Sequence, residues 1–123
     1  MATIEIKHIG HITFVAFKEE RITGKDSIDS MEEKLSKLVD EFYRTKILID
    51  FSGVTFFSSE EFLPKIISLH RKLKEAKGML ILCNISPKTQ ISEVLKTTHL
   101  DQYFTIVKDV EEAFSLFPTS EKP

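Results

Sequence analysis

The sequence has few of the residues that mark specialised protein classes. Its 123 residues include a single cysteine, Cys83, and no tryptophan. A lone cysteine cannot form an internal disulfide, so the composition predicts a protein of a reducing compartment. Glycine and proline each occur only four times, which excludes collagen-like and low-complexity chains.

The sequence also lacks an excess of one charge and any long apolar run. The formal net charge is -2, so no global field favours nucleic acid or acidic lipid. No apolar stretch approaches the roughly 20 residues that span a bilayer. The first twelve residues are interrupted by Glu5, Lys7 and His8, unlike a signal peptide. We therefore expect a cytoplasmic protein with no membrane insertion and no nucleic-acid partner.

The hydrophobic pattern of the first half predicts a hairpin followed by a helix. Residues 3–9 and 12–17 are β-prone and flank Gly10. A stripe at helical spacing follows, made of Ile28, Met31, Leu35, Leu38, Val39 and Phe42. Its start is open, because Asp29 with Glu32 and Ser30 with Glu33 both have capping-box spacing.

The middle of the chain predicts a parallel β-α-β unit. Residues 47–49 and 79–83 are continuous apolar runs, typical of strands covered on both faces. Between them, apolar residues from Phe62 to Ala76 recur at helical spacing, and Gly78 is expected to cap that helix.

The last third predicts two more helices and a strand. Ser86 and Pro87 suggest a helix start, with the serine as cap. Residues 105–107 read as a short strand, and Asp109 with Glu112 predicts a capped final helix. We predict a single domain over residues 1–117 and a polar tail over residues 118–123, with a mixed sheet of four to five strands and about four helices.

The segment that carries the functional argument is Phe57-Ser58-Ser59-Glu60-Glu61. It follows a predicted central strand and opens a helix, where unpaired amides and the helix dipole favour negative charge. A phosphorylated serine would suit this position. A purely structural reading is also available: Ser58 and Glu61 form a capping box, while Phe57 and Phe62 occupy the staple positions.

Pro64 complicates this helix start. If Ser58 is the cap, the proline falls in the sixth helical position, where its missing N–H and its ring cost about 3 kcal/mol. We therefore expect an irregular or kinked first turn, with regular helix resuming near Pro64.

Residues 46–114 resemble the STAS domain family, named for sulfate transporters and anti-sigma factor antagonists. The resemblance rests on three stretches in this order: ILIDFSGVTF from Ile47 to Phe56; LHRKLK from Leu69 through Gly78 to LILCN; and THLDQYF with EEAF near the C-terminus. It implies a mixed sheet of four to five strands with helices packed over it.

The resemblance also implies a function without catalysis. Bacterial members bind an anti-sigma factor that has serine-kinase activity. Phosphorylation of a Ser or Thr at the start of the helix after the central strand breaks that binding, and a phosphatase restores it. By this resemblance the acceptor is Ser59, with Ser58 as the second candidate, and the partner-binding residues are Phe57, Ser58, Ser59, Glu60 and Glu61.

The sequence departs from the family pattern at this motif, which reads Asp-Ser-Ser/Thr-Gly. Ser58 stands at the Asp position, Glu60 at the second hydroxyl position, and Glu61 in place of the Gly. A glycine lets a partner approach the backbone, whereas Glu61 fills that space. The two glutamates would repel a neighbouring phosphate. The module is then either switched by a kinase of altered specificity or held permanently in a phosphate-like state.

Other chemistries have little support in the sequence. The four histidines show no metal-ligand spacing, and no nucleophile elbow or Gly-rich phosphate loop is present. We expect no cofactor, no metal and no enzymatic activity. The alternatives that remain are an unswitched STAS scaffold or adaptor and a small-ligand or nucleotide sensor. Whichever function holds, we expect a monomer or weak dimer.

Overall fold

The computed structural model describes residues 4–117 and contains a five-stranded mixed sheet. The main-sheet strands are β1 (Ile4–Ile9), β2 (Ile12–Phe17), β4 (Lys46–Asp50), β6 (Met79–Cys83) and β7 (Thr105–Val107), in the spatial order β1-β2-β4-β6-β7. β1 and β2 are antiparallel, and each later neighbour is parallel. Two short strands, β3 (Arg21–Ile22) and β5 (Phe56–Phe57), form a separate parallel pair.

Five helices accompany these strands. They are α1 (Lys25–Asp40), α2 (Ser59–Glu75), α3 (Gln90–Thr97), α4 (Leu100–Tyr103) and α5 (Val110–Leu116). The predicted fold class and the predicted number of strands are confirmed. Among the described residues no helix is long and apolar enough to cross a membrane. The predicted tail, residues 118–123, lies outside the described residues.

The core lies on both faces of the sheet because β4 and β6 are apolar at every central position. Ile47 and Ile49 contribute to the larger cluster, with the buried stripes of α1, α2 and α3. Leu48 and Ile81 point to the opposite face, where they meet Ala113 of α5. This two-sided burial explains why neither strand shows alternating polarity.

Helix α1 differs from its predicted bounds at both ends. It begins at Lys25, with Gly24 at the cap position and no side-chain cap, so neither Asp29 nor Ser30 starts it. It ends at Asp40, which leaves Phe42 beyond the helix and 63% exposed. The stripe from Ile28 to Val39 is buried as predicted.

The end of α2 corrects the expected role of Gly78. The left-handed residue is Lys77, with φ 62°. The amide of Gly78 donates to the Leu73 carbonyl at 2.7 Å, and that of Lys77 to the Lys74 carbonyl at 3.0 Å, which is a Schellman ending. Glycine is required at position 78 for another reason, because a Cβ there would lie 2.1 Å from the Thr45 carbonyl oxygen.

The predicted start of α3 was wrong, and that of α5 was right. Residues 86–89 form a turn in which Thr89 bonds back to the Ser86 carbonyl, and Thr89 caps a helix that begins at Gln90. Asp109 caps α5 by accepting from the Glu112 amide at 2.9 Å.

Candidate functional site

The predicted site begins at β5, which is held along both edges. On one side β5 pairs with β3, and the Ser58 amide extends this pairing by donating to the Ile22 carbonyl at 2.9 Å. On the other side the Gln90 side chain takes the place of a strand. Its Oε1 accepts from the Phe57 amide at 3.2 Å, and its Nε2 donates to the Phe57 carbonyl at 3.1 Å. The residues before α2 are therefore fixed by tertiary contacts.

An aromatic cluster in the core packs against β5 and the start of α2. The ring of Phe57 is 1% exposed and stacks on Phe62 with centroids 4.8 Å apart. Phe62 in turn meets Phe17 and Phe51 edge-on. The predicted staple between Phe57 and Phe62 is confirmed. Phe57 is a predicted partner-binding residue, but its ring belongs to the core and offers almost no exposed surface in this structure.

The predicted capping box does not form. Ser58 is the N-cap residue of α2 in extended conformation, but its side chain makes no capping hydrogen bond. Its carbonyl instead accepts from the amides of Glu61 at 3.1 Å and Phe62 at 2.8 Å. The amides of Ser59 and Glu60 are left without an intrahelical acceptor. The first turn thus presents free N–H groups on the side where the sequence places the serines.

Pro64 lies inside α2 without interrupting it. The helix is continuous from Ser59 to Glu75, so the expected irregular first turn is absent. A proline at this position removes only the bond to the carbonyl of Glu60, four residues earlier. Glu60 and Pro64 are both exposed, which allows water to solvate that carbonyl.

The remaining predicted site residues lie at the surface. Ser58, Ser59 and Glu61 are half-buried, and Glu60 is exposed. Within residues 4–117 the hydroxyls of Ser58 and Ser59 have no hydrogen-bond partner. Neither hydroxyl is committed to the fold, so each can be modified without loss of an internal contact. We call Ser58, Ser59, Glu60 and Glu61 the α2 N-terminal surface.

Mixed charges border this surface. Asp29 of α1 pairs with Lys25 at 2.9 Å and with Lys65 of α2 at 3.2 Å. These three residues line a shallow depression together with Glu60, Glu61 and Pro64. The hydrogen bond from Lys25, followed by that from Lys65, lowers the pKa of Asp29. Asp29 raises the pKa of Lys25, and Glu61 adds a smaller effect in the same direction.

A second polar cluster, absent from the sequence prediction, lies at the carboxyl ends of β4 and β6. Asp50 Oδ1 accepts from the Ser52 amide at 3.0 Å, the Ser52 hydroxyl at 2.8 Å and the Asn84 side-chain amide at 2.8 Å. Burial, with a smaller contribution from Asp50, raises the pKa of the Cys83 thiol to about 12. Cys83 is therefore a neutral core residue, as predicted.

The site residues that the sequence analysis missed differ in whether a local sequence signal marks them. Asp50 and Ser52 have the spacing of an Asx turn, a local signal that could have been used. Gln90 and Asn84 offer no such signal, because their partners lie 33 and 34 residues away in the chain. Among the described residues no group of three or more His, Cys, Asp or Glu side chains could hold a metal ion.

Comparison with known proteins relates this architecture to one family. A sequence model of the STAS domain matches residues 3–113. An anti-sigma-factor antagonist (STAS) domain protein from Planctomyces limnophilus has a similar structure, with a TM-score of 0.77, 25% identity, and coverage of 91% of this chain and 95% of that one.

Two further solved structures share the fold at lower identity. An anti-sigma factor antagonist from Mycobacterium paratuberculosis gives a TM-score of 0.78 at 19% identity, over 95% of this chain and 94% of that one. The Bacillus cell fate determinant SpoIIAA in its phosphorylated form gives 0.68 at 18% identity, over 92% and 97%. The family match extends over nearly all of the described residues, and the chain belongs to the STAS domain family.

Proposed function

We propose that this chain is a non-catalytic regulatory interaction module that acts as an anti-sigma factor antagonist. Its partner is an anti-sigma factor with serine-kinase character, and it binds through the α2 N-terminal surface. Two of the similar structures are named as anti-sigma factor antagonists, which supports the proposed class of function. The single observation that supports the site is the placement of Ser59. Ser59 is half-buried and is the first residue of a helix of 17 residues. Its hydroxyl has no hydrogen-bond partner in residues 4–117.

We further propose that phosphorylation of Ser59 weakens this binding, and that a phosphatase reverses it. A phosphate on Ser59 would lie beside the free amides of the first helical turn, where the dipole favours an anion. It would also place up to two negative charges next to Glu60 and Glu61. A partner that docks on the unmodified surface would then meet a strongly acidic one.

Affinity capture can identify the partner, and a mass measurement can test the switch. A tagged chain is used to capture proteins from the lysate of its host, and phosphosites on the captured bait are mapped. The purified partner is then incubated with the chain and ATP. We expect the intact mass to rise by one phosphate, Ser59→Ala to abolish the rise, and Ser58→Ala to leave it unchanged. Loss of the phosphate only in Ser58→Ala would move the acceptor to Ser58.

A second candidate function, an unswitched adaptor, is favoured by the two glutamates. Glu60 and Glu61 place permanent negative charge beside Ser59, the position at which a family member would acquire phosphate. In this case the chain binds its partner whether or not Ser59 is modified. The double variant Glu60→Ala, Glu61→Gly removes that charge and reopens the backbone. If the glutamates imitate phosphate, which weakens binding in the mechanism above, their removal should raise the affinity for the partner by about tenfold or more; an unchanged affinity argues against the imitation.

The remaining alternative is a small-ligand or nucleotide sensor at the strand ends. An open depression there is lined by Ser52, Gly53, Asn84 and Lys108, among others. A nucleotide that binds the folded chain would raise its melting temperature, and the rise would grow with the logarithm of the ligand concentration above the dissociation constant. A thermal scan with ATP and GTP therefore separates this function from the protein-binding one.

A further inference from the structure

The outer edge of β1 is an unpaired strand edge six residues long. β1 has six residues and pairs only with β2; within residues 4–117 no strand lies on its other side. The opposite edge of the sheet, β7, has only three residues. A long open edge is a template for pairing with another strand unless the sequence blocks it. β1 has no proline, and its two charged residues are of opposite sign.

The hairpin register shows which backbone groups face outward. Ile9 pairs with Ile12 across the two-residue turn Gly10-His11, and Gly10 has φ 60°, which fits a type II′ turn. The closing pair of such a turn is hydrogen-bonded, and hydrogen-bonded pairs then alternate along the ladder. Lys7 and Glu5 therefore bond to β2, and the N–H and C=O groups of the even-numbered residues point away from it.

These outward groups belong to Ile4, Ile6 and His8. None of their backbone groups takes part in a turn, loop or capping hydrogen bond within the described residues. A second strand on this edge could form hydrogen bonds with the backbone groups of all three residues. Two identical strands that pair antiparallel about Ile6 satisfy all of these groups, because Ile6 then faces Ile6 of the other copy and Ile4 faces His8.

The charges on β1 favour this register over its neighbours. Pairing centred on Ile6 places Glu5 of each copy directly opposite Lys7 of the other, on one face of the sheet. Both side chains are exposed and, within residues 4–117, have no ion-pair partner. A register centred on Glu5 or on Lys7 would instead oppose two like charges, which is destabilising. The strand is therefore complementary to itself in one arrangement.

We propose that a second copy of this chain binds along β1, in an antiparallel two-fold arrangement centred on Ile6 that joins the two sheets into one. Such an isologous contact closes on itself and does not propagate. One strand pair buries less than the roughly 1,000 Å² of a stable interface, so we expect a weak, concentration-dependent dimer. The contact does not use the α2 N-terminal surface, so this dimer can be present or absent whatever partner that surface binds.

Charge reversal tests the register directly. Sedimentation velocity of the untagged chain, from the micromolar to the millimolar range, should show monomer giving way to dimer. Glu5→Lys or Lys7→Glu alone opposes like charges at two positions and should raise the dissociation constant about tenfold or more. The double variant Glu5→Lys, Lys7→Glu restores both pairs with the wild-type net charge. It should dimerise as wild type does.

Mixing the two single variants distinguishes specific pairing of Glu5 with Lys7 from a general effect of net charge on association. Glu5→Lys has two cations on β1 and Lys7→Glu has two anions, so each should remain largely monomeric alone. Mixed in equal amounts, they should form a heterodimer of at least wild-type strength. The proposal is overturned if wild type stays monomeric throughout the range, if the single variants dimerise like wild type, or if the double variant or the mixture fails to restore association.

Discussion

Replacing Gln90 with leucine removes both hydrogen bonds that hold the free edge of β5. Leucine keeps a side chain of similar size but can neither accept from the Phe57 amide nor donate to the Phe57 carbonyl. Each neutral hydrogen bond contributes about 0.5–1.5 kcal/mol net. The two together predict a loss of about 2 kcal/mol in the free energy of unfolding. For a domain of this size that corresponds to a melting temperature lower by roughly 5–10 °C.

Urea unfolding followed by circular dichroism measures this loss. We expect Gln90→Leu to lower the midpoint with an unchanged m-value, and the Phe57 amide to exchange faster with solvent. Gln102→Leu is a matched control, because Gln102 is exposed and its side chain has no hydrogen bond within residues 4–117. The control should stay within about 0.5 kcal/mol of wild type. Equal midpoints for Gln90→Leu and wild type would refute the idea that this side chain substitutes for a strand.

Three further predictions concern the end of α2, a buried histidine and the lone thiol. Gly78→Ala should cost about 2–3 kcal/mol, because its Cβ meets the Thr45 carbonyl. Lys77→Gly should instead stabilise by about 1 kcal/mol, because it relieves the left-handed backbone; the opposite order in urea melts would contradict the cap assignment. Burial lowers the pKa of His70 from 6.5, so the folded chain favours the neutral imidazole. The stability that this group contributes is present above about pH 6.5 and is lost as the pH falls. His70→Leu should therefore make the urea midpoint depend less on pH between about pH 7 and pH 5. Cys83, with its pKa raised to about 12 by burial, should resist a disulfide reagent in the native chain at about pH 8 and react once unfolded; rapid native reaction would show that the thiol is accessible.

The sequence alone determined the five strands of the main sheet, the order of the main elements and the family, but not the short strands β3 and β5. Ile47–Ile49 and Met79–Cys83 are short apolar runs without alternation, which is typical of strands covered on both faces. The staple of Phe57 and Phe62 was also predictable, because it depends on residues five apart at one helix start. The same short range explains the correct cap at Asp109. Ser59 as acceptor, by contrast, comes from family resemblance and remains a proposal.

Only the tertiary structure decided how the residues before α2 are held. Capping signals were present at Ser58, Ser86 and Asp29, yet the helices start elsewhere or without side-chain caps, because packing of the apolar stripes fixes a helix more strongly than one hydroxyl does. Gly78 is glycine because the Thr45 carbonyl lies against it, and Gln90 supports β5 from another part of the chain. Both are contacts between residues more than thirty positions apart. A local pattern records only the needs of neighbouring residues, and such contacts exist only once the chain has folded.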